Sequence, residues 1–186
     1  LAEVSKRLAV LGTAFTQNLL ADEREWFMLL REDDLDGLPE FLKDSARAAA
    51  QERGEQGYVI TLSRSLIVPF LQFSTRRDLR EKAFVAWGKR GENAGATDNR
   101  AIVAETLALR QERARLLGYA SFADFKLEPE MAKTPAAVHD LLMAVWEPAK
   151  AQANRDAAKL TEMMHAEGVN GDLEPWDWRH YAEKRR

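Results

Sequence analysis

The sequence predicts a mostly α-helical fold, a multi-helix domain with at most one or two short strands. Three observations carry this. Apolar residues recur at helical spacings of three and four over most of the chain, and capping residues, prolines and glycines stand where helices would start and stop. Only one run, "GYVITL" at 57–62, has the β-branched and aromatic character of a strand. A composition of 186 residues, 46% apolar and 31% charged, suits one helical domain, or one domain with an extension.

Taken in order, Val4, Leu8, Leu11, Phe15 and Leu19 form one stripe on a long helix over 3–31. Trp26, Phe27, Leu29 and Leu30 extend its buried surface. "DDLDGLP" breaks the pattern, and Pro39 suits the first turn of a helix running toward Gly54. The strand at 57–62 cannot stand alone, because its edge groups need a partner. That partner is either a weaker strand of this chain or lies outside it. "SRSLIVPFLQFS" predicts a short buried helix, with Pro69 in its first turn. Thr75 and Asp78 have capping-box spacing for a helix with Leu79, Ala83 and Trp87 on one face. Asp98 is the expected cap of a helix to Leu117, with Ile102, Val103, Leu107, Leu109, Leu116 and Leu117 turned inward. Ser121 and Asp124 cap a short turn. Thr134 and Pro135 open a helix that runs to Gly168, with a kink expected at Pro148.

Several functional classes are excluded or disfavoured by the residues present. A net charge of −3 provides no positive field to gather nucleic acid. The cations of "RRDLREK" are interrupted by Asp78 and Glu81 at i, i+4 spacing, which predicts a salt-laced solvent face. The absence of cysteine removes disulfides and thiol nucleophiles, and fits a reducing, cytoplasmic setting. No apolar run reaches the roughly 20 residues of a membrane helix. Of the three histidines, His165 lies near Glu167, and His180 and Glu183 share a helix face, but H-E-x-x-H is absent. His139, His165 and His180 are therefore expected to be solvated or capping residues. "GENAG" lacks the Lys-Ser/Thr of a phosphate loop, and no G-x-S-x-G occurs. No catalytic residue and no metal ligand is assigned. Trp87 and Trp146 are expected as packing anchors, whereas Trp176 and Trp178 stand where this chain offers little to bury them.

Four stretches in one order carry a resemblance. They are "GYVITLSRSLIVPFLQFSTRRDLREKAFVAWGKRG", "DNRAIVAETLALRQERARLLGYASFADFKLEPEMAKTP", "VHDLLMAVWEPAKAQANRD" and "WDWRHYAEKRR". Together they resemble the M3 family of zinc oligopeptidases, in its peptidyl-dipeptidase and oligopeptidase A subgroup, with thimet oligopeptidase among its relatives. The resemblance implies a large, helical, two-lobed parent protein with a deep channel for short peptides. It also implies a zinc held by the histidines of H-E-x-x-H and a downstream glutamate. None of those residues is in this sequence, so no zinc ligand or base carries over and no cofactor is expected on this segment.

The expectation is an internal segment of the non-catalytic lobe. Residues 1–168 would form the helical part, and 169–186 a linker with the first turns of a helix leading to the catalytic lobe. Asp177 would cap that helix, and Trp176, Asp177, Trp178 and Tyr181 are the candidate lobe-interface residues. Expected partners are short peptides, through the parent, and the missing lobe. One alternative is a stand-alone helical interaction module without catalysis. Another is a metal enzyme using His165, Glu167, His180 and Glu183.

Overall fold

A computed structural model describes all residues, 1–186. Its elements are α1 (Ala2–Glu25), β1 (Phe27–Leu30), a 3-10 turn (Glu32–Asp34), α2 (Glu40–Glu52), β2 (Tyr58–Thr61) and α3 (Arg64–Phe73). They continue with α4 (Arg77–Gly88), α5 (Arg100–Leu116), α6 (Phe122–Leu127), α7 (Pro135–Ala166) and α8 (Pro175–Lys184). The fold is mostly α, as the spacing of apolar residues predicts. The chain divides into two compact units, one of Leu1–Leu19 with Gly91–Asn154 and one of Leu20–Arg90 with Arg155–Arg186.

The second unit holds the larger core. Its strands correct the expectation of one helix over 3–31: α1 stops at Glu25, and "FMLL" pairs antiparallel with "YVIT", Met28 opposite Ile60 and Leu30 opposite Tyr58. The partner of the 57–62 strand is thus inside this chain. The reason is visible in the period. Met28 and Leu30 are buried and Leu29 between them is exposed, so the segment alternates with a period of two. Against this two-stranded sheet pack Leu35, Leu38, Leu42 and Ala46 from the turn and α2, then Leu66, Ile67, Phe70 and Leu71 from α3, and Ala83 from α4.

Two further expectations change here. Pro69 is the sixth residue of α3 rather than a first-turn residue. The carbonyl it leaves without an N–H belongs to Ser65, which is exposed and open to water. Thr75 does not cap α4; its hydroxyl donates to the Asp36 carboxylate at 2.8 Å. The tight turn at Asp36 needs glycine next to it. Gly37 has φ +79°, and a Cβ there would collide with the carbonyl of Phe73.

The first unit is built on α1 and α5. Asn99, buried, is its polar joint: it donates to the carbonyl of Phe15 at 3.1 Å and accepts from Asn18 at 2.8 Å. Asn99 is also the residue preceding α5, so Asp98 is displaced from the cap, and its carboxylate accepts instead from the backbone N–H of Arg100. Ser121 caps α6 and Thr134 caps α7 as expected, each hydroxyl accepting a backbone N–H, from Asp124 at 3.1 Å and Ala137 at 3.2 Å. The inward stripe expected of α5 is corrected: Val103, Leu107, Leu116 and Leu117 are exposed and only Ala114 is buried. Periodicity marks a face that wants a partner, and no element of this unit covers that one. The same is true of α7, which runs unbroken through Pro148 and has every residue from 139 to 154 exposed. Trp146 is 55% exposed there, not a packing anchor.

Truncation should separate the two faces of the sheet layer. Leu42→Ala, in the core, is expected to lower unfolding free energy by about 2–5 kcal/mol. Leu29→Ala, on the outer face, should change it by less than about 0.5 kcal/mol. Urea denaturation followed by circular dichroism measures both.

Candidate functional site

The most organised polar cluster in the chain is where α8 meets α3 and α4. Its centre is Asp177, 0% exposed, at the third position of α8. Arg77 donates to both carboxylate oxygens, at 2.8 to 3.2 Å. Arg80, 1% exposed, donates to Oδ1 at 2.9 Å. The backbone N–H of Glu174 donates to Oδ2 at 3.1 Å, so the carboxylate also closes the first turn of its own helix. Arg80 also donates to the carbonyls of Ser74 at 2.8 Å and Trp176 at 3.2 Å. Burial alone would raise the Asp177 pKa. The hydrogen bonds from Arg77, the Glu174 N–H and Arg80 outweigh it, and the group lies below the ordinary carboxylate range.

One turn along, His180 is 3% exposed and donates from Nδ1 to the carbonyl of Gln72 at 3.0 Å. A carbonyl can only accept, so Nδ1 carries the proton and Nε2 is bare in the neutral ring. Burial first, then the charges of Arg80 and Lys184, hold His180 down at about 4 despite Glu167 nearby. Tyr181 packs with Leu160 and Met164, and its hydroxyl reaches Glu167, which also pairs with Lys184 at 2.7 Å.

The four sequence-predicted residues of α8 are therefore not equivalent. Asp177 and Tyr181 turn inward and find their partners in this chain. Trp176 is half-buried, its ring edge-on to Phe84 at 6.4 Å. Trp178 is 36% exposed and borders an open groove with Leu160 and Ala182. Of the two roles expected for the histidines, His180 takes the capping one, buried and bonded to the Gln72 carbonyl in the last turn of α3. One reading is corrected: Arg77 and Arg80 serve Asp177 instead of a solvent face. A signal for Arg80 existed: it shares the buried stripe with Ala83 and Trp87 at i+3 and i+7, and a cation there must have a partner. His139 stays exposed beside Asp140, and His165 meets the carbonyl of Gly171 at 2.9 Å. No three His, Asp or Glu side chains converge as metal ligands, so the residues present do not fit a zinc site.

What this cluster belongs to is decided by comparison with known proteins. Residues 70–186 match the model of "Peptidase family M3", a span that includes Gln72, Arg77, Arg80, Asp177 and His180. The chain belongs to peptidase family M3. The M3 relatives include oligopeptidase A of Salmonella typhimurium, 33% identical over 99% of this chain and 28% of that protein. Oligopeptidase A of Haemophilus influenzae is 34% identical over 99% and 28%. Dipeptidyl carboxypeptidase of Escherichia coli is 31% identical over 96% and 26%. The chain thus spans somewhat over a quarter of the length of the M3 relatives it matches.

Two outcomes are expected from the cluster. Asp177→Asn leaves two arginines without their counter-charge, one of them fully buried, and should destabilise the fold by about 3–5 kcal/mol in urea denaturation. His180 is depressed in the folded state, so its contribution is complete above its unfolded pKa of about 6.5 and is lost as pH falls toward about 4. Stability measured from pH 7 to 4 should decline over that window, and His180→Gln should flatten the decline.

Proposed function

We propose that this chain is a non-catalytic helical part of an M3 zinc metallopeptidase whose whole polypeptide hydrolyses short oligopeptides in the cytoplasm. Residues 1–168 would belong to the helical lobe and form a wall of the substrate channel. Residues 169–186 would lead toward the catalytic lobe. Zinc and its H-E-x-x-H ligands belong, in this reading, to polypeptide outside this sequence. The family match supports the peptidase assignment, and the names of the relatives support both an oligopeptidase and a dipeptide-releasing enzyme as the parent activity.

The observation that carries the reading is the uncovered apolar surface of α7. Leu141, Leu142, Val145 and Trp146 are all more than half exposed on consecutive turns of one helix. Isolated helices in water gain little from propensity and are held by packing of an apolar face. The remaining polypeptide of a protein of the relatives' length would supply that packing, with Trp178 as a second contact.

The test is direct. The purified 186-residue chain, given Zn²⁺ and a fluorogenic oligopeptide, should show no turnover above buffer, whereas a polypeptide extended through an H-E-x-x-H segment should cleave it. Sustained hydrolysis by the pure chain would overturn the assignment.

A further inference from the structure

The segment joining α7 to α8 holds a dipeptide that the cluster around Asp177 leaves unused. Asn170 is the one asparagine of the chain followed by glycine. The nitrogen that follows an asparagine can close a five-membered ring on the side-chain carbonyl carbon, and a Cβ on the following residue obstructs the approach. Gly171 has none. Its φ is +146°, in the region that favours glycine, and a Cβ built there would meet nothing within 4 Å. Asn170 is exposed, its side chain has no hydrogen-bond partner, and neither has the Gly171 N–H. The chain supplies its own contrast. Asp36 also precedes a glycine, but its carboxylate accepts from Thr75 at 2.8 Å and Gly37 is pressed against the carbonyl of Phe73. Asn93 and Asn99, the other asparagines outside helices, are held through both side-chain atoms, Asn93 by Thr97 and the Gly95 N–H, Asn99 by Phe15 and Asn18. Just beyond Asn170 the backbone is tied on two sides. The Gly171 carbonyl accepts from His165 Nε2 at 2.9 Å, and the Asp172 carbonyl accepts at 3.2 Å from Arg77, which also holds Asp177.

We propose that Asn170 is a self-modifying site, at which ring closure by the Gly171 nitrogen converts the asparagine to isoaspartate and loosens the start of α8. In the first step the Gly171 nitrogen gives up its proton and bonds to Cγ of Asn170. The bond from Cγ to Nδ2 breaks, and that nitrogen leaves with the proton as ammonia. The product is a succinimide. Water then adds to one of its two carbonyls. Opening at the former main-chain carbonyl leaves isoaspartate, with the backbone routed through Cβ and Cγ; opening at Cγ leaves aspartate. Water is the only co-reactant. Isoaspartate puts one more carbon into the main chain, lengthening its path by about 1.5 Å. A shift of that size is more than a hydrogen bond tolerates. The bonds from His165 and Arg77 to the next two carbonyls are then given up, and Arg77 loses one of its anchors beside Asp177.

The experiment incubates the 186-residue chain in mildly alkaline buffer made with heavy-oxygen water, once folded and once in guanidinium chloride. Peptide mass spectrometry reads each site by the oxygen it takes up, and electron-transfer fragmentation separates isoaspartate from aspartate. A segment at the low end of local stability needs no opening, so Asn170 should convert in the folded chain within about tenfold of its rate in denaturant. Asp36 and Asn93, each compared with itself, should be slowed more by folding than Asn170 is. The isoaspartyl chain, separated by ion exchange, should unfold at lower urea and lose amide-exchange protection in α8 while β1, β2 and α2 keep theirs. Freshly purified Asn170→Asp carries the added charge without the added carbon, and should keep the parent's midpoint and α8 protection. Asn170→Ser, at an exposed position without a partner, should fold as the parent does and hold its midpoint through the same incubation. Slowing of Asn170 by folding beyond about tenfold, or by as much as Asp36 and Asn93, would overturn the proposal. So would full α8 protection in the isoaspartyl chain, the same loss in fresh Asn170→Asp, or an equal decline of Asn170→Ser on incubation. None of these outcomes depends on hydrolysis by the extended polypeptide.

Discussion

The second unit depends on one buried ion pair, Arg80 with Asp177. Two charges removed from water are costly, and their attraction offsets that cost only when every remaining donor and lone pair is satisfied. Here each guanidinium nitrogen of Arg80 and both carboxylate oxygens of Asp177 have a partner. Arg80 reaches two backbone carbonyls besides the carboxylate, and Asp177 accepts from a second arginine and from the backbone of its own first turn. The pair therefore does more than join α4 to α8. It fixes the angle at which α8 enters, and with that angle His180 falls on the carbonyl of Gln72 and Tyr181 on Leu160 and Met164.

The two-stranded sheet contributes on different terms. Its two strands meet along four residues, too few for independent stability, and they persist because α2 and α3 cover the face on which Met28, Leu30 and Ile60 lie. The polar joint at α8 and the apolar layer under the sheet meet in α3, whose Phe70 and Leu71 sit in the core while Gln72 turns its carbonyl to His180.

Helices were most legible where a 3.6-residue period and a cap coincide: Ser121 before α6 and Thr134 before α7 are both a hydroxyl followed by the N–H that it accepts. The strand at 27–30 was missed because it is four residues long and adjoins a helical stripe, so a two-residue period had little room to declare itself. Arg80 was hidden by its neighbours. Arg76, Arg77 and Lys82 are interleaved with acids in the manner of a solvent face, and only the stripe that Arg80 shares with Ala83 and Trp87 sets it apart locally. Asp177 could be placed at a helix start but not in a core, since local spacing carries no information about which distant cation will arrive. The family, by contrast, was readable, because ordered motifs survive where single contacts cannot be inferred.

The separation of Arg80 and Asp177 by 97 residues also sets a schedule. A chain made at roughly 5–20 residues per second exposes Arg80 about 5–20 s before its carboxylate exists. During that interval the two strands, α2 and α3 can already bury their apolar face, but α4 carries a cation on its inner side with nothing to neutralise it. The inner side of α4 must then stay hydrated. The second unit is consequently sealed only when α8 arrives, and that helix acts as its latch during synthesis.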